Sequence, residues 1–175
     1  MKTSKVLFTV QAAVIAALYV VLTVLANSIG LASFAIQIRF SEALTILPFF
    51  TPAAIPGLFV GCILSNLLTG CVLLDVIFGS LATLIGAVGT YLIRRGFHHV
   101  SKYSRIQKWA ASLPPILANT LIVPWILSKV YSFEGSILYF MLTVGIGELI
   151  SCGVLGMILF CALEPQASRI FHSRQ

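Results

Sequence analysis

The chain reads as an all-α integral membrane protein, a single domain over residues 1–175 folded as a compact bundle of six transmembrane helices with both termini cytoplasmic. Three observations predict this. Hydrophobic residues make up 59% of the 175 and charged residues 9%, with a mean hydropathy of +1.04. A soluble domain carries about 25% charged residues, so this chain lacks the polar surface that water demands. Apolar runs recur at lengths near the roughly 20 residues a helix needs to cross the hydrocarbon core. Basic residues collect in alternate connections between those runs. Alternation of period two is absent, which argues against a membrane β-barrel.

The first run is Val6–Ile29. Lys2 and Lys5 ahead of it imitate the start of a signal peptide. The run is too long for a signal core, however, and no small-residue cleavage site follows, so a retained helix is expected. Arg39–Phe50 is short: its length gives about 18 Å at the usual helical rise, which suits a re-entrant or strongly buried helix. A break at Thr51-Pro52 leads into Ala53–Leu68. Pro48, Pro52 and Pro56 fix where these helices run and where they stop. Asp75–Ile93, Trp109–Leu127 and Gly135–Leu163 complete the six.

Charge sets the orientation. Lys2 and Lys5, then Arg94, Arg95, Lys102, Arg105 and Lys108, then Arg169 and Arg174 fall on one side of a six-span chain. Arg39 and Lys129 fall on the other. The crowded side is cytoplasmic by the positive-inside rule. The net charge of +6 is thus accounted for by topology and by attraction to anionic membrane lipid. No interleaving of aromatic and basic residues offers a nucleic-acid platform.

Several function classes lack their apparatus. There is no GxxxxGK[ST], HExxH or GxSxG, so neither ATP hydrolysis by a phosphate loop nor hydrolytic catalysis is expected. Cys62, Cys71, Cys152 and Cys161 form no CxxC pair and read as small apolar residues. His98, His99 and His172 lie in basic loop or tail segments and read as solvated positions. No metal and no cofactor is expected.

The candidate functional residues are the polar groups within or beside the spans, where an ionisable side chain is expensive. Arg39 and Glu42, three apart, suit either a surface ion pair or a ligand contact. Asp75 stands where a helix-capping carboxylate belongs, or a ligand group. Asn66 and Asn119 suit interhelical hydrogen bonding or binding. Glu148, in GIGELIS, lies deep with no basic residue at its level in a neighbouring span; it calls for a proton or a partner from outside the chain. All fall in the outer half or centre of the bundle, as a cavity open outward and closed below would require. Small residues form a second pattern. Ala12, Ala13, Ala16 and Ala17 make two AxxxA steps, and Gly79, Gly86, Gly145, Gly153 and Gly156 let helices approach closely.

These residues carry a resemblance. SEALTILPFFTPAAIPGLFVGC, DVIFGSLATLIGAV, ANTLIVP and GIGELISCGVLG, spread from about Val6 to Leu163, resemble the QueT family of predicted queuosine-precursor transporters. These are substrate-specific S components of energy-coupling factor (ECF) importers. The resemblance implies a six-helix protein with an outward-facing pocket and no ATPase of its own. It would act with a module of two ATPases and a transmembrane coupling subunit, which the AxxxA steps would contact. The substrate would be a 7-deazaguanine base, as the aminomethyl form, the nitrile form or queuine. Glu148, with Asn119 beside it, would accept the guanine-like edge. Arg39 or an asparagine amide would meet the carbonyl, and Glu42 or Asp75 the substituent nearer the mouth. A ring from Phe40, Phe49 or Tyr139 would stack on the base. Arg39–Gly70 would then frame the pocket and Glu148 supply its depth. A stand-alone facilitator or secondary carrier is the alternative; a membrane enzyme would need a nucleophile or metal-binding histidine beside Glu148.

Overall fold

A computed structural model describes residues 2–30, 38–96, 105–129 and 136–171. Regular structure among them is helical throughout. The order is α1 (Lys2–Ser28), a 3₁₀ helix (Phe40–Phe49), α2 (Ala54–Leu68), α3 (Leu73–Gly96), α4 (Arg105–Lys129) and α5 (Ile137–Glu148). A π-helical stretch (Leu149–Leu155) continues α5 into α6 (Gly156–Leu163), and a 3₁₀ turn (Glu164–Gln166) leads to α7 (Ala167–Ile170). Gly135, expected to start the last span, and His98, His99, Lys102, His172 and Arg174 lie outside the described residues.

Among the described residues, four stretches are long and apolar enough to cross a membrane: Lys5–Ser28, Leu73–Gly96, Ile106–Ser128 and Ile137–Gln166. Their outer faces expose Val14, Val21, Leu117, Leu121, Leu142 and Ile158, a continuous apolar coat suited to lipid and not to water. On α4, Trp109 and Trp125 are both exposed and stand about 24 Å apart along the axis, near the spacing of the two aromatic belts of a bilayer. The protein is a multi-pass membrane protein.

The short second segment is the unusual element. It is a 3₁₀ helix of 10 residues, although such helices rarely exceed a turn or so because their hydrogen-bond geometry is poorer. Packing supplies what local bonding does not: from Ser41 to Phe49 every residue except Ala43 is buried. The higher rise also carries it farther, about 20 Å against about 15 Å for an α-helix of equal length. The chain then turns through Thr51-Pro52-Ala53 into α2.

Glycine and proline set the helix seams. A Cβ on Gly57 would stand 2.7 Å from the Ala12 carbonyl oxygen, and one on Gly61 2.8 Å from Tyr19 Cβ and 3.0 Å from the Ala16 oxygen. So α1 and α2 touch backbone to backbone along Ala12 and Ala16. Ala16 is buried and Ala12 half-buried, whereas Ala13 and Ala17 are exposed. This corrects the expectation of one four-alanine docking face: the Ala12–Ala16 step is spent inside the protein. Between α3 and α4, Gly86 faces Pro115 and Gly89 faces Pro114, where an added Cβ would come within 2.6 Å and 2.5 Å. Pro115 withdraws the donor that the Ala111 carbonyl would have had. Thr90 Oγ1 of α3 donates to that carbonyl at 2.8 Å, the kind of repair that makes proline tolerable in a membrane helix.

Side-chain contacts gather one end of the bundle. Gln11 Nε2 donates to the Ile170 carbonyl at 3.4 Å, and Thr51 Oγ1 to Gln11 Oε1 at 3.0 Å. Lys108 pairs with Glu164 at 2.6 Å. Phe160 lies 5.0 Å from Phe49 and 4.8 Å from Phe50, while Phe171 stacks on Phe50 at 5.7 Å. Arg94 sits over Phe49 and Lys108 over Phe160. This end is a plug of aromatic rings under a basic rim. Arg39, Asn66 and Asp75 stand toward the opposite end.

Candidate functional site

Glu42 is carried by the 3₁₀ helix into the middle of the bundle, where it is 2% exposed. Both carboxylate oxygens are engaged by other helices. The Tyr19 hydroxyl of α1 donates to Oε1, and Asn119 Nδ2 of α4 donates to Oε2 at 3.4 Å. Beside it, Thr23 Oγ1 of α1 and Ser41 Oγ share a hydrogen bond of 2.8 Å. Buried polar atoms need such partners, and here they fix the carboxylate from two sides.

Glu148 arrives from the other direction, on the last turn of α5 before the π-helical stretch. Gly156 N–H donates to the Ser151 carbonyl five residues back, the widened bonding that defines this geometry and that recurs at functional sites. The widening turns Ser151 and Cys152 onto the head of the 3₁₀ helix. Arg39 N–H donates to Ser151 Oγ at 3.2 Å. Cys152 Sγ lies 3.1 Å from Glu148 Oε2 and 3.4 Å from the Glu42 carbonyl, either of which accepts its S–H, and 3.3 Å from Thr45 Oγ1. Ligand-capable atoms of Glu42, Glu148 and Cys152 lie within 4.8 Å of one another. The set mixes hard oxygens with a thiol that already serves as donor, so hydrogen bonding describes it better than metal ligation.

A cleft opens against this cluster. Arg39, Gly79, Thr83, Asn119, Val123, Val144 and Glu148 line it. The cleft is narrow, with free space for about one water molecule. Gly79 is the thin part of the wall: a Cβ there would meet Asn66 Nδ2 at 3.3 Å and Asp75 Oδ1 at 3.6 Å. Asp75 and Glu42 both act on the Arg39 guanidinium through their charge. One guanidinium stands against three carboxyl groups, so ionisation of all three would leave an excess of negative charge that a cationic guest would offset.

Of the six residues singled out in the sequence, Arg39, Asn119 and Glu148 line the cleft; Glu42 stands behind that lining, bonded to Asn119, and Asn66 and Asp75 lie near Gly79. Glu42 is no surface ion-pair partner of Arg39; it is buried and held by Tyr19 and Asn119. Glu42 was expected near the mouth, yet it adjoins Glu148 and stands behind the cleft lining, to which the Arg39–Gly70 segment contributes Arg39. Glu148 is not remote from basic residues, because Arg39 lines the same cleft. Asp75 does not precede its helix: α3 begins at Leu73, and Asp75 N–H donates to the Val72 carbonyl at 2.9 Å within the first turn. Phe49, offered as a stacking ring, is 2% exposed in the aromatic plug. Cys152 and Cys62 are polar partners and not merely apolar filler, Thr83 Oγ1 lying 3.5 Å from Cys62 Sγ, and Cys161 is exposed. Tyr19, Thr83 and Ser151 escaped the sequence reading; only Tyr19 carried a signal, as a phenol in mid-span that must find a partner.

No solved structure matches the chain. A curated relative, the queuosine precursor transporter QueT of Lactococcus lactis subsp. cremoris (strain MG1363), is 40% identical over 85 residues, 49% of this chain and 50% of the relative's own length. The matched stretch thus spans about half of that relative. The profile of the QueT transporter family matches residues 9–165, nearly the whole helical bundle, and the chain belongs to that family.

Proposed function

We propose that the chain is the substrate-binding S component of an ECF-type importer and takes up a queuosine precursor through an outward-facing cleft. The observation that carries this reading is the convergence of Glu42, Glu148, Asn119 and Arg39 from α4, α5 and the head of the 3₁₀ helix. A 7-deazaguanine base offers an N–H and an amino group on one edge, and a carboxylate accepts both together. Glu148 takes that edge, and Arg39 donates to the ring carbonyl. Glu42 meets the substituent at position 7, where the excess of negative charge favours the cationic aminomethyl form over the nitrile.

The remaining parts of the reading follow from the same frame. Six crossings with both termini cytoplasmic put the aromatic plug and its basic rim inside and the cleft outside. The exposed Ala13–Ala17 step of α1 is the contact for a transmembrane coupling subunit, which brings two ATPases. The chain itself is not an enzyme: Cys152, its nearest nucleophile, is 1% exposed and stands behind Glu148, outside the cleft lining.

The test is ligand-dependent thermal stabilisation of the purified protein. A specific binder gains stability in proportion to ligand concentration over Kd, so the aminomethyl base should raise the melting midpoint most, ahead of the nitrile and queuine. No shift with any of the three overturns the substrate assignment. In liposomes, uptake should require the ATPase module and ATP. Uptake by the chain alone would replace the importer reading with a stand-alone carrier.

A further inference from the structure

We infer that Tyr19 is a positioning residue of the cleft: through its hydroxyl it holds the Glu42 carboxylate in the orientation that selects a cationic substituent. The inference rests on the proposed binding of a 7-deazaguanine base and adds a residue of α1, a helix that contributes nothing to the cleft lining.

The geometry argues it in three steps. Tyr19 is 1% exposed, and its hydroxyl donates to Glu42 Oε1 while Asn119 occupies Oε2. A carboxylate has about four acceptor positions, so two clamps on opposite oxygens still leave capacity for a guest while removing rotation. Tyr19 is itself immobilised. Its Cβ fills the notch left by Gly61, where even a methyl group would clash at 2.8 Å, and its carbonyl accepts from Thr23 Oγ1 at 2.9 Å. Finally, carboxyl oxygens of Glu42 and Glu148 lie within 4.8 Å of one another, so the orientation of one bears on the other. Without the Tyr19 clamp, Glu42 would turn away from Glu148, and the paired field that attracts a cation would weaken. A group held by its surroundings binds better than one that must be ordered by the ligand.

Tyr19→Phe removes the hydroxyl and keeps the ring in its notch. The measurement is the ratio of affinities for 7-aminomethyl- and 7-cyano-7-deazaguanine in wild type, Tyr19→Phe and Thr90→Val, each with its ligand-free melting midpoint. Tyr19→Phe should weaken the aminomethyl base about tenfold, as loss of a hydrogen bond to a charged group predicts, and leave the nitrile base within twofold. Thr90→Val, which removes the bond to the Ala111 carbonyl in the α3–α4 seam, should leave the ratio as in wild type. Equal weakening of both bases by Tyr19→Phe, no weakening, or the same ratio change in Thr90→Val overturns the positioning role. A wild type that binds the nitrile as well as the aminomethyl base overturns it too, while leaving base binding intact. A wild type that binds neither overturns the substrate reading and this inference with it. Should the nitrile base fail to bind at all, the aminomethyl affinity alone decides, a tenfold loss supporting the role and an unchanged value sinking it.

Discussion

The two ends of the 3₁₀ helix are built on opposite principles. At its head, Ser41 and Glu42 meet Thr23, Tyr19 and Asn119 through hydrogen bonds. At its tail, Phe49 and Phe50 meet Phe160 and Phe171, and the contacts are rings against rings. One end is polar, charged and open to a cleft; the other is apolar and sealed beneath Arg94 and Lys108. The contrast teaches where energy and selectivity reside. Ring packing is bulk burial and contributes stability, whereas a buried carboxylate costs desolvation and is retained for what it binds.

That division can be broken by variants at each end. The largest effect is expected at the plug. Phe160→Ala, in a side chain with 0% exposure, should cost about 3 to 5 kcal/mol by deletion of a buried aromatic ring. Unfolding of the purified protein measures it, and base affinity in the folded fraction should stay within twofold. A large affinity loss there would mean the plug takes part in binding. Next comes the cleft. Glu148→Gln should weaken the aminomethyl base by about tenfold to a hundredfold, the range for a hydrogen bond to a charged group, with a melting midpoint equal to or above wild type. Unchanged affinity in a titration would remove Glu148 from the site. The smallest effect separates both ends from the scaffold. Thr90→Val leaves the Ala111 carbonyl without its donor and should cost about 1 to 3 kcal/mol, with no change in selectivity between bases.

Much of this architecture was legible in the residues. Hydropathy and length identified the long spans, since lipid forbids unpaired backbone and forces helices of a given reach. Of the polar residues named as candidates, Arg39, Asn119 and Glu148 line one cleft, because an ionisable side chain in an apolar run has few places to be. Two features were not legible. Rise and packing decide between an α-helix and a 3₁₀ helix over Phe40–Phe49, and a pattern of apolar residues does not encode either. The split of the alanines on α1 was equally hidden: Ala12 and Ala16 differ from Ala13 and Ala17 only in which face meets Gly57 and Gly61.

By itself the sequence determined the solvent, the helical class and the roster of costly polar groups, because those follow from composition and from the price of charge in hydrocarbon. Only the tertiary structure decided how those groups pair. Glu42 and Glu148 are far apart in the chain, and each was legible as a lone acid at some depth. Their approach depends on the longer reach of a 3₁₀ helix and on the π-helical widening after Glu148, which together turn Cys152 and Ser151 onto its head. Tyr19 enters for the same reason. Its partner is set by the Gly61 notch in a neighbouring helix, and a contact made through another helix's missing side chain is written in packing, not in local pattern.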